Sequence, residues 1–183
     1  RSRMQANRSD RDQTTNDDVV TVFLEPFLDY LRGYSFSVNG YGVQRDSIVV
    51  VSNGRDDADG DVSWNALYYS AGALVDDGWT AEMAIPIKSL RYPGRPAGEA
   101  HRWGFQVQRH IRSKDESVVW SPVSRTAMAF LTQIGTLEGI RDLSTRRNLE
   151  LMPTFTAVRA DALRGADLVA SDVEEGGLNV KYG

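Results

Sequence analysis

Cysteine is absent from the 183 residues, which excludes disulfides, thiolate metal sites and a cysteine nucleophile but leaves the redox compartment open. Long apolar runs are absent too. The longest aliphatic one, Ile48-Val49-Val50-Val51, is far short of the roughly 18 residues of a spanning helix; membrane β-strands, whose alternating signal is weak, are not excluded. There is no excess of positive charge either: 21 basic against 25 acidic residues give a net charge of −4, so a phosphate backbone has no general attraction and nucleic acid is not expected as a partner. Histidine is scarce. Neither His101 nor His110 adjoins a pattern such as Gly-x-Ser-x-Gly, so a nucleophilic triad has little support. No Met, charged stretch or apolar stretch opens the chain, and a secretory leader is expected to be removed or to lie outside it.

What is present is the composition of an ordered domain, 41% hydrophobic and 25% charged. The first dozen residues, with Arg1, Arg3, Arg8 and Arg11 against Asp10 and Asp12, read as a loop or frayed end. From Val19 to Leu24 the text is β-branched and apolar on both faces, which suits a covered central strand. Tyr34, Phe36 and Val38 then alternate with serines, and Asn39-Gly40 before the run Tyr41 to Val51 predicts a hairpin. Trp64 to Tyr69 reads as extended. Trp79, Ala81, Met83, Ile85 and Ile87 recur with period two, and so do Trp103, Phe105 and Val107, with Ile111 beyond them. Val118-Val119-Trp120 is a short partner. No comparable window has helical periodicity, although a single turn is expected at Lys88 to Tyr92 or Arg141 to Thr145. The expected fold is all-β and mostly antiparallel, a β-sandwich by its strand spacing. A boundary is placed near Arg141 to Arg147, after which Leu149, Leu151, Phe155 and Ala157 begin new alternating text.

Three chemistries compete for the polar and aromatic residues. Sugar recognition uses aromatic faces against the apolar faces of pyranose rings, with planar polar groups orienting hydroxyls. Trp79 and Trp103 share strand faces with core residues and read as packing, while Trp64 and Trp120, at strand or loop margins, are the candidate platforms. Gln44, Arg45, Asp46, Arg109 and Arg112 could supply the orienting groups; Arg45 and Asp46 lie within a strand between apolar neighbours, so at least one of them could equally be buried and paired in a structural Arg-carboxylate link. A glycosidase would need two carboxylates about 5 to 10 Å apart; Glu82, Glu116, Asp46 and the acidic loop from Asn53 to Asp61 are all conceivable members, with Glu82 and Glu116 the candidates carried forward, although solvated carboxylates are the commoner outcome. Asp57, Asp59 and Asp61 supply hard oxygen ligands at alternate positions, a weak calcium signal, because Val62 and Tyr68 stand where an EF-type loop has Gly and Glu. No other cofactor is expected.

Several segments together carry a family resemblance. Asp17-Asp18-Val19-Val20-Thr21-Val22-Phe23-Leu24, the segment Asn39 to Asp46, Gly78-Trp79-Thr80-Ala81-Glu82-Met83-Ala84-Ile85-Pro86, Arg102-Trp103-Gly104-Phe105 and Lys114 to Trp120 resemble carbohydrate-binding family 9-like domains. The chain is similar to bacterial surface proteins in which such a domain precedes an outer-membrane β-barrel. The resemblance implies a β-sandwich over residues 1 to 142 and the first barrel strands over 148 to 183. It implies polysaccharide or oligosaccharide as ligand, the chain's own barrel as partner, and a place at the periplasmic face of the outer membrane. It also carries an association with carbohydrate breakdown and hydrolysis of O-glycosyl bonds, without a catalytic pair. Family members open with an Ile-Asp-Gly-like turn and a Trp that this chain lacks, so the first sandwich strands are expected outside it. A purely structural docking domain for the barrel is the remaining alternative.

Overall fold

The structure, a computed structural model, describes residues 4–52, 55–56, 60–124, 126–127, 129–143, 149–164 and 167–182. The chain divides into two compact units, Arg1–Ser144 and Thr145–Gly183. Both are built from antiparallel β-strands, and no α-helix occurs among the described residues. That outcome follows from the text: period-two segments bury one face of a strand and cannot bury one stripe of a helix.

In the first unit the elements are β1 (Val19–Glu25), β2 (Arg32–Asn39), β3 (Gln44–Ser52), β4 (Arg55–Asp56), β5 (Tyr69–Val75), β6 (Gly78–Ala84), β7 (His101–Ile111), β8 (Glu116–Val119) and β9 (Gly135–Ile140). The main sheet runs β4-β3-β2-β1-β7-β8, and β9 also pairs with β7. The long β7 serves both: its residues 101–105 pair with β9 and its residues 108–111 with β8. Strands β5 and β6 form a separate hairpin. Single 3-10 turns occupy Ile87–Ser89 and Arg112–Lys114; the first begins one residue before the turn expected near Lys88.

Asn39-Gly40 does join two antiparallel strands, β2 and β3. Asn39 builds the turn with its side chain, whose Oδ1 accepts the N–H groups of Tyr41 (2.9 Å) and Val43 (3.0 Å). One face of the sheet is apolar. Leu24, Tyr34, Phe36 and Trp103 are buried there with Ala66, Tyr68 and Leu90, and Val22, Ile48, Met83 and Ile85 pack around them. Each fully buried large side chain contributes about 1.5–3 kcal/mol, so this cluster is the main reason the unit holds together. A smaller cluster, Phe23, Val49 and Leu131 with Phe130 and Ile134, lies on the opposite face.

Two segments differ from the sequence expectation. Residues 4–18 have no regular structure, as a loop should, but they are not frayed. The N–H of Asp12 donates to the Gln44 carbonyl (2.8 Å) and that of Asp18 to the Gln5 carbonyl (2.6 Å), while Asp17 accepts from both Asn7 and Asn39 side chains. The segment Trp64 to Tyr68 is irregular rather than extended, because the Ala66 N–H donates to the buried Asp46 carboxylate (2.6 Å) instead of to a neighbouring strand.

The second unit is one long hairpin of β10 (Leu149–Arg164) and β11 (Asp167–Tyr182). It is two-stranded, with no closed barrel among the described residues.

Candidate functional site

A concavity of about 460 Å³ lies on the sheet face opposite the main core of the first unit. Its floor follows from the register. Phe23 faces Ser35 and Gln106, and Ser35 faces Ser47. One pleat along, Thr21 faces Ser37 and Gln108, and Ser37 faces Arg45. Residues directly opposite share a face, so the serines that alternate with Tyr34, Phe36 and Val38 all arrive on one side. They pair across strands: Thr21 Oγ1 with Ser37 Oγ at 2.8 Å, and Ser35 Oγ with Ser47 Oγ at 2.7 Å. A hydroxyl has one donor and two acceptor sites, so each pair consumes one proton and keeps a second O–H and spare lone pairs.

The walls are mixed. Arg45, Gln108, His110 and Arg112 supply polar groups, and Phe23 with Phe130 supply an aromatic end, their rings 4.8 Å apart edge to face. Gln108 Nε2 donates to Ser117 Oγ (3.1 Å), which also meets His110 Nδ1 (3.2 Å), so β8 props both side chains. Arg112 is positioned through its backbone, whose N–H donates to Asp18 Oδ1 (2.7 Å). Asp17 lines the same concavity, but its carboxylate is buried and already accepts from Asn7 and Asn39. It is a structural anchor rather than a free base.

The sequence candidates are divided between the two faces. Arg45 lies in the concavity. Its neighbours Gln44 and Asp46 point the other way, and both are engaged. Gln44 Nε2 donates to the Tyr68 carbonyl (2.9 Å) and Ser70 Oγ (3.0 Å). Asp46 is 0% exposed and accepts from Arg11 and from the Ala66 N–H. The pair anticipated for Asp46 therefore exists, with Arg11 as its cation. Burial and the Asp46 charge together push the neighbouring Tyr68 phenol well above its ordinary pKa. Trp64 is half-buried, with Tyr34 and Phe36 rings at 5.0 and 5.8 Å, whereas Trp120 is 61% exposed. Arg109 lines a second, smaller concavity of about 200 Å³ with Val20, Trp79 and Ala81. Trp103 is buried in the core as expected, and Trp79 is half-buried.

Asp57 and Asp59 lie outside the described residues. Asp61 is exposed, and its Oδ1 caps the Ser63 N–H (2.9 Å); bonds from the Ser63 hydroxyl and N–H hold its carboxyl below the usual range. No group of three or more metal-ligating side chains occurs among the described residues. Glu82 and Glu116 are both exposed and sit on strands of different sheets.

Sequence reasoning did not single out Thr21, Ser35, Ser37, Ser47 or Gln108 as a site. The alternation of serines with aromatics in β2 was the available signal, since it marks a polar face opposite a core face. No family model matches the chain, and no curated protein or solved structure does.

Proposed function

We propose that the chain is a carbohydrate-binding module of the bacterial cell envelope, holding its glycan in the concavity above Thr21, Ser37, Gln108 and Arg45. The observation that carries this reading is the lining itself. Paired hydroxyls, an amide and guanidinium groups can exchange hydrogen bonds with a polyol, and the Phe23–Phe130 end offers an apolar contact to a ring face. In this reading the main sheet and the β5–β6 hairpin are layers of a family 9-like β-sandwich.

The envelope location rests on the second unit. Leu151 pairs with Val180, Pro153 with Leu178 and Phe155 with Gly176, which places one apolar row along the hairpin. Leu151, Phe155, Leu178 and Val180 are all exposed. Alternation of this kind is how a barrel strand presents itself to lipid, so β10 and β11 fit the start of an outer-membrane barrel.

The test is calorimetric titration of the 183-residue chain with cellohexaose, xylohexaose, chitohexaose and oligogalacturonate. Gln108→Ala and Arg45→Ala, with unfolding curves to verify the fold, should each weaken binding of the active ligand about tenfold, one well-made hydrogen bond's worth. Absence of binding to any of the four, or binding indifferent to both replacements, overturns this assignment.

A further inference from the structure

Trp120 stands at the β8 edge of the main sheet, where Val118 is exposed too. It follows β8 directly, and its N–H donates to the Val107 carbonyl (2.9 Å). The backbone on its other side is clamped by the buried Gln106 amide, which donates to the Ser121 carbonyl and accepts from the Ser121 N–H, both at 2.8 Å. The indole packs against Phe105, with centroids 5.7 Å apart, and lies against Gly135, where a Cβ would come within 2.4 Å of Cζ3. A large apolar ring is thus fixed in place while 61% of the residue stays in water. The Gly135 contact gives the ring a rigid seat, so a ligand stacking on it would lose little side-chain entropy.

The same face carries hydrogen-bonding groups. Arg109 lies opposite Val118 on β8, and Trp120 is two residues beyond Val118 on that side, so Arg109 and Trp120 are diagonal neighbours roughly 7–8 Å apart at the backbone. Arg109 also lines the small concavity with Trp79. The Trp79 Nε1 is buried with no hydrogen-bond partner among the described residues.

We propose that this face is a second saccharide-binding site, with Trp120 as the stacking platform and Arg109 as the hydrogen-bonding fork. It rests on the carbohydrate-binding reading of the concave face and adds a site on the reverse side of the same sheet. Its ligand is a pyranose oligosaccharide, whose ring offers an apolar face to the indole and equatorial oxygens to Arg109. Two sites on opposite faces would let one module join two chains of the same polysaccharide, and binding to a multivalent substrate would gain avidity.

The test uses the same four oligosaccharides, with stoichiometry as the readout. The wild-type chain should bind two molecules of the active ligand. Trp120→Ala and Arg109→Ala should each reduce this to one, and Trp120→Phe, which keeps a ring over Gly135, should retain two with weaker affinity. Gln108→Ala should weaken the other molecule about tenfold and leave the Trp120 site unchanged. A single bound ligand that responds to Gln108→Ala and ignores Trp120→Ala overturns the second site while the proposed function stands. A single ligand that responds only to Trp120→Ala keeps this site and overturns the concave one. No binding by any of the four overturns both.

Discussion

Arg11 closes on the buried carboxylate of Asp46 from 35 positions away in the chain, through Nε at 3.0 Å and through Nη2. Nη2 also donates to the Ala66 carbonyl (2.7 Å), and Nη1 to Gln44 Oε1 (3.2 Å). The guanidinium therefore ties three separate segments together: the N-terminal stretch, β3 and the irregular run that leads to β5. The Ala66 N–H completes the arrangement by donating to the second oxygen of Asp46.

Arg11→Ala leaves Asp46 buried with one backbone partner. Removing one partner of a buried pair costs about 3–5 kcal/mol; because Arg11 itself is partly exposed, about 2–3 kcal/mol is expected. Urea unfolding should show a midpoint lowered accordingly. Asp46→Ala strands the guanidinium and the Ala66 N–H instead and should be at least as damaging. An unfolding midpoint unchanged in both variants would contradict the assignment.

Glu25 gives stability a pH dependence. It is fully buried, with Oε1 accepting the Asp29 N–H (3.3 Å) and Oε2 without a partner among the described residues. Burial raises its pKa, backbone N–H bonds from the Asp29 turn partly oppose this, and the Asp29 charge adds to the rise. A carboxyl whose folded pKa exceeds its unfolded value contributes most when protonated. That contribution is present below the unfolded pKa and is lost as pH rises through the folded one. Glu25→Gln removes the charge and should raise the urea midpoint at pH 8 more than at pH 4. Equal changes at both pH values would count against the linkage.

Gly135→Ala tests the seat of Trp120. The new Cβ would overlap the indole, so the ring must lift from the sheet. A loss of about 1–3 kcal/mol is expected from the forced contact, together with a shift in the fluorescence that Trp120→Phe abolishes. Wild-type stability and emission would mean the ring is not seated there.

Gly72→Ala tests how the β5–β6 hairpin approaches the turn between β2 and β3. A Cβ at Gly72 would lie 2.5 Å from the Gly42 nitrogen and 2.7 Å from the Gly40 carbonyl. These are backbone atoms and cannot swing away, so the hairpin must move off the sheet at a cost of about 1–3 kcal/mol. Val75→Ala, an exposed change in the same strand, should fall within about 0.5 kcal/mol of wild type.

Period-two text by itself determined that this protein is antiparallel β, that Asn39-Gly40 turns the chain and that Trp103 is buried. Each of these depends on residues adjacent in sequence, where alternation decides which side chain is inward. Pairing across the sheet was settled only in the tertiary structure. The register of β1 with β2, of β2 with β3 and of β1 with β7 is what gathers Thr21, Ser35, Ser37, Ser47, Arg45 and Gln108 onto one floor. A one-residue slip in any of the three would scatter them. The partner of Asp46 was likewise beyond sequence reading. Among 21 basic residues, only the path of the N-terminal segment over the edge of β3 selects Arg11, and burial then makes that choice costly to undo. Trp64 and Trp120 look alike in sequence, each at a strand margin. They part because Tyr34 and Phe36 reach the first ring, while the second rests against a glycine at the end of the sheet.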